Sequence, residues 1–138
     1  MKDRLAVMAL ALWWGSLTVL AGFVVPMLFV NLPSAAMAGN LAGKLFSVQN
    51  VLSLACGASV LLALGRDPGN SGAKWSHGAI GLIALAMLAS LLMEFGVSPR
   101  ILARDQLKLW HTVGSALYGV QWLCAGVLLW RSTRQRQS

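Results

Sequence analysis

Charge is what this chain has least of. Only 11% of its 138 residues are charged, and only four of them are acidic, against a soluble norm of about 25% charged. A soluble domain of this size would need far more charge to cover its surface, so the composition argues against that class. Alternating apolar–polar segments are absent from the long apolar runs, which excludes a transmembrane barrel. The two cysteines, Cys56 and Cys124, form no CxxC, and no phosphate-binding glycine loop, HExxH or nucleophile elbow occurs anywhere. No residue is therefore assigned a catalytic role, and the reading leans away from an enzyme.

Long uncharged runs are what the chain has in their place. Leu5–Val30, Leu45–Gly65, Trp75–Met93 and Leu109–Trp130 contain no Asp, Glu, Lys or Arg. Each is near or above the ~20 residues that cross ~30 Å of hydrocarbon. The expectation is one all-α domain, residues 1–138, an integral four-helix transmembrane bundle with spans at about 5–30, 45–65, 75–95 and 107–130. Ala36-Met37-Ala38 has the spacing a signal peptidase reads, but the run before it is much longer than the 7–15 residues of a signal core. The first helix is read as a retained span.

The net charge of +7 forms no stripe or aromatic-interleaved patch, so nucleic acid is not an expected partner. The basic residues flank the spans instead. Lys2, Arg4, Arg66, Lys74, Arg131, Arg134 and Arg136 fall on one side; Lys44, Arg100, Arg104 and Lys108 fall on the other. The positive-inside rule then places both termini and the 65–74 turn in the cytoplasm of a cell whose inner membrane the protein spans. Trp75, Trp110 and Trp130 stand at span boundaries, whereas Trp13, Trp14 and Trp122 lie deeper as packing residues that need partners for their N–H groups.

Ser98 and Pro99 read as the start of helix four, with Arg100, Arg104 and Lys108 forming a charged stripe every four residues. Gly39 and Gly43, amid Ala35, Ala36, Ala38 and Ala42, read as a helical extension of span two that packs closely on a neighbour. Small-residue faces leave a homo-oligomer or a partner helix open, with the lipid bilayer as the general partner.

Polar side chains inside lipid are the best functional clue, because each is expensive there. Asn50, Ser53 and Gly57 share a face of span two; His111, Ser115, Tyr118 and Trp122 share one of span four. Ala11, Gly15, Thr18, Gly22 and Phe29 form a small face of span one, and all three faces are expected to converge. Asn50 lies ~9 Å inside Lys44 and His111 ~5 Å inside Lys108, on the side where Glu94 ends span three. Asn50, Glu94, His111, Ser115 and Tyr118, with Gln49 nearby, are thus the outer-half candidates for a ligand site, set against plain interhelical bonding. Asn50 is expected to bond to span one or span four, and Glu94 to pair with Lys44 or a loop arginine.

His77 and His111 open spans on opposite sides, ~25–30 Å apart, so they cannot ligate one haem. Copper(I) would favour soft ligands such as Met27, Met37 and Met93 near His111, but methionine in an apolar helix is usually gap-filling core. No metal site or cofactor is expected; haem or copper stays as the alternative.

The stretch VVPMLFVNLPSAAMAGNLAGKLFSVQNVL resembles the small membrane family catalogued as domain of unknown function 4149, with vertebrate members of the transmembrane-protein-205 type. Pro26, Phe29, Leu32, Pro33, Ala38, Gly39, Leu45 and Phe46 carry the likeness, and LWHTVGSALYGVQWL adds His111, Gly114 and Ser115. The resemblance implies a four-helix integral membrane protein, distantly similar to copper-resistance D-type proteins and to a haem-binding four-helix protoporphyrinogen oxidase. The haem relative uses a histidine in span one and a lysine in span three, and this chain has neither. The expected function is accordingly a structural, transport-accessory or small-ligand-binding membrane module, with a haem- or copper-linked redox protein as the alternative.

Overall fold

The computed structural model describes residues 2–65, 77–104 and 106–134. The turn expected at 65–74, Trp75 at its boundary and the last four residues of the tail fall almost wholly outside that range. Helix α1 (Lys2–Val19) leads through a π-helical turn (Leu20–Val24) into α2 (Val25–Asn31), and together they make span one. Span two is α3 (Ala35–Gly65). Span three is α4 (His77–Leu91), a second π-helical turn (Leu92–Val97) and α5 (Ser98–Leu102); span four is α6 (Leu107–Arg134). Four of these stretches are long and apolar enough to cross a membrane: Arg4–Asn31, Ala35–Ala63, His77–Leu102 and Leu107–Arg134. The chain is an all-α, multi-pass membrane bundle.

Both π-helical turns have the same local cause. Each ends two residues before a proline, Pro26 and Pro99. A proline cannot donate to the carbonyl four residues back and its ring collides with it. Widening the preceding turn absorbs the misfit without breaking the helix. Pro99 therefore does not start helix four, as its pairing with Ser98 suggests; it lies inside the continuous helix of span three. The break comes later, after Leu102, where Arg104 and Gln106 hold φ of 55° and 37°. These left-handed conformations strain non-glycine residues and mark the true reversal. Arg100 then belongs to span three and Lys108 to span four, so the expected stripe of Arg100, Arg104 and Lys108 does not form.

The first connection is governed by Pro33. Leu32, immediately before it, is extended at φ −88° and ψ 146°, the conformation a following proline imposes. Ser34 then caps α3, its Oγ accepting from the Met37 N–H at 3.3 Å. The extension of span two is helical as expected, but Ala38 and Ala42 are its buried residues. A Cβ on Gly39 or Gly43 would meet nothing within 4 Å.

Consecutive spans run antiparallel, and span four closes the ring by packing on span one. The core is built from Leu10, Trp13, Leu17, Val60, Ile83, Ala125 and Leu128, all fully enclosed. Large apolar side chains such as Met8, Phe23, Leu62, Leu88 and Leu123 point outward. That arrangement is stable because the surrounding lipid is as apolar as the core.

Span one departs from expectation. Its buried face is the bulky series Ala6, Leu10, Trp13, Leu17 and Leu20, at the spacing of one helical stripe. Ala11, Gly22 and Phe29 are exposed, and Gly15 and Thr18 are half-buried. With lipid outside and protein inside equally apolar, size complementarity to Gly57, rather than small-residue spacing, decides which face turns in. The Trp13 ring reaches to 3.4 Å of where a Gly57 Cβ would sit.

Candidate functional site

Of the five outer-half candidates, two meet. Asn50 Nδ2 donates to Glu94 Oε2 at 3.0 Å, from α3 to the second π-helical turn. Asn50 is fully enclosed and Glu94 half-buried. The amide bonds across helices as its depth requires, but its partner belongs to span three rather than span one or four. Among the described residues Glu94 is held by this amide and by no cation. Arg100, the nearest candidate in sequence, donates to the Gly96 carbonyl at 2.7 Å and lies over the Trp110 ring at 4.4 Å.

Tyr118 is buried yet faces elsewhere. Its hydroxyl donates to the Leu17 carbonyl on span one at 2.7 Å, and its ring meets Phe46 edge-on at 5.4 Å. His111 and Ser115 are exposed on the outer surface of span four. The interior face of that helix is one step round: Gly114, Tyr118, Gln121, Ala125 and Leu128. Gly114 lets span three approach, since a Cβ there would sit 3.3 Å from Met93 Cε and Val97 Cγ1.

Two polar ties escaped the sequence reading. Gln49 Nε2 donates to Ser16 Oγ at 3.0 Å, joining spans one and two. Ser90 Oγ donates to Gln121 Oε1 at 2.8 Å, joining spans three and four, with both residues fully enclosed. The usable signal for Gln121 was its phase, three residues after Tyr118 and four before Ala125 on one stripe. A ring of four spans is thus cross-tied by Ser16–Gln49, Asn50–Glu94, Ser90–Gln121 and Tyr118–Leu17. Of the three deep tryptophans, Trp122 donates to Thr18 Oγ1 at 2.8 Å. The Nε1 atoms of Trp13 and Trp14 and the Nε2 of Gln121 are buried with no partner among the described residues.

Cys56 and Cys124 are free, buried members of the core cluster. Among the described residues, no three of His, Cys, Asp and Glu come together as a metal-binding group. Neither histidine enters the bundle interior: His77 and His111 are both exposed.

Residues 8–109 match the family model described as Domain of unknown function (DUF4149). The chain belongs to this family. The match runs from within the first span to the first residues of the fourth and includes Asn50 and Glu94; His111, Ser115 and Tyr118 lie beyond it. No curated protein and no solved structure is detectably similar to the chain.

Proposed function

We propose that this member of the family is a small-ligand-binding, transport-accessory module of the inner membrane, without a reaction of its own. The observation that carries this reading is the Asn50–Glu94 contact. Glu94 is the single acidic residue within the four candidate membrane spans, and ionisable groups inside such spans are costly. Among the described residues it makes one hydrogen bond, through Oε2. Its second oxygen therefore offers acceptor capacity to a ligand that brings a donor or a positive charge. The π-helical turn around it adds backbone groups outside the regular ladder.

The test is chemical labelling. Dicyclohexylcarbodiimide partitions into lipid and couples to protonated carboxyls there. Protein in native membranes, treated in mildly acidic buffer, is expected to carry the adduct at Glu94 by peptide mass mapping. Glu94→Gln should remove it. A folded wild-type protein left unlabelled at Glu94 would dismiss the carboxylate as a reachable site.

Orientation belongs to the same proposal. The seven-to-four division of basic residues supports cytoplasmic termini, with residues 31–44 and 96–106 facing outward. A reporter active only in the cytoplasm, fused after Ser138, is expected to be active. A stably expressed but inactive fusion would reverse the orientation.

A further inference from the structure

On the lipid-facing side of the bundle, span one and span four are separated by an open groove of about 370 Å³. Its walls are Thr18, Ala21 and Gly22 on one side and Ser115, Gly119 and Trp122 on the other. The floor is closed by two bonds between these spans, Tyr118 Oη to the Leu17 carbonyl and Trp122 Nε1 to Thr18 Oγ1. Those bonds satisfy the polar groups of the floor, so the groove offers an occupant a mainly apolar surface.

The bundle does not require this space for its own packing. A Cβ at Gly22 or at Gly119 would meet nothing within 4 Å. Gly57, Gly114 and Gly126 differ, since a Cβ at each would press on Met87, Met93 or Trp14. The two groove glycines therefore open a slot outward rather than letting helices approach.

The same face of span four changes character toward the outer surface. Lys108, His111, Ser115, Gly119 and Trp122 follow at i, i+3, i+7, i+11 and i+14, one side of a helix. Lys108, His111 and Ser115 are all exposed. Ser115 lies ~10 Å below Lys108, and Trp122 another ~10 Å below Ser115. A basic mouth at the headgroup level thus stands above an apolar slot within one leaflet of a ~30 Å hydrocarbon core.

We propose that this seam is a binding site for an anionic phospholipid, its phosphate held at Lys108 and His111 and one acyl chain seated in the groove against Gly119 and Trp122. Charge complementarity selects the acidic headgroup over a zwitterionic one. It also weighs against a second copy of the chain. A two-fold contact through this seam about the membrane normal would set each Lys108 beside the same residue of its partner.

The experiment is native mass spectrometry of the full chain in detergent, titrated separately with phosphatidylglycerol and phosphatidylcholine. Phosphatidylglycerol is expected to bind at least about tenfold more tightly. Gly119→Leu, or Gly22→Leu on the facing wall, should fill the slot and weaken phosphatidylglycerol binding at least about tenfold. Lys108→Gln combined with His111→Gln should erase the preference between the two lipids. Gly39→Leu, at another open glycine remote from the groove, should leave binding unchanged and report any general effect of added bulk. Equal binding of both lipids, or binding indifferent to both groove fillings, would refute the site. A dimer split by Gly119→Leu would assign the groove to a second copy instead.

Discussion

Trp13→Ala is expected to destabilise the folded bundle by about 3–5 kcal/mol, the largest effect of any single truncation considered for this chain. The residue is fully enclosed, with 0% of its surface exposed, at the centre of the core cluster. Lipid is as good a solvent for the indole as the protein interior, so the loss is one of packing rather than of water avoidance. Its Nε1 has no partner among the described residues, so truncation forfeits no hydrogen bond to them. Trp122, 37% exposed on the lipid side, should cost much less, about 1 kcal/mol for its bond to Thr18. A coupled variant sharpens the test. Alanine at Gly57 alone would place its Cβ 2.7 Å from Met87 Cγ and 3.4 Å from the Trp13 ring. In the Trp13→Ala background Met87 can move into the vacated space, so Gly57→Ala should become less harmful there. Reversible unfolding in mixed micelles measures all four corners of the cycle. Additive costs would contradict the packing described here.

Asn50→Leu is expected to cost about 2–4 kcal/mol, because it strands the Glu94 carboxyl, half-buried, without its interhelical donor. Glu94→Gln keeps an acceptor oxygen for Asn50 and should cost under about 1 kcal/mol. Removing both polar groups, as Asn50→Leu with Glu94→Leu, should return stability toward wild type, since neither group is then left unpaired. The same micelle unfolding measurement reads this series. Carbodiimide labelling separates its two roles: Glu94→Gln abolishes the adduct while sparing the fold, whereas Asn50→Leu harms the fold while leaving a carboxyl to label. If the double variant were as unstable as Asn50→Leu alone, the amide would be holding something other than Glu94.

Much of the local structure was readable from residue types. Pro33 required an extended Leu32 and Ser34 offered a cap, and α3 begins where those two rules place it. Pro99 shows where such rules compete. A proline suits the first turn of a helix, and Ser98 before it completes the signal. The same proline is tolerated inside a transmembrane helix when the preceding turn widens, and span three took that course. The reversal then fell on Arg104 and Gln106, neither of which advertises a left-handed conformation. The candidate site divided for a related reason. Asn50 and Glu94 sit at matching depths on antiparallel spans two and three, so they meet. His111 and Ser115 have a suitable depth but the wrong rotation about their helix.

What the sequence determined by itself was the number of spans, the membrane as solvent and the depth of each polar residue. Those follow from the lengths of uncharged runs and from a fixed rise per residue. What only the tertiary structure decided was rotation: that Trp13 and Leu17 turn inward while Gly22 turns out, and that Gln121 rather than His111 enters the core. In water the apolar stripe of a helix names its buried side. In lipid both sides are apolar, and the choice passes to shape and to which polar groups can reach one another across the bundle.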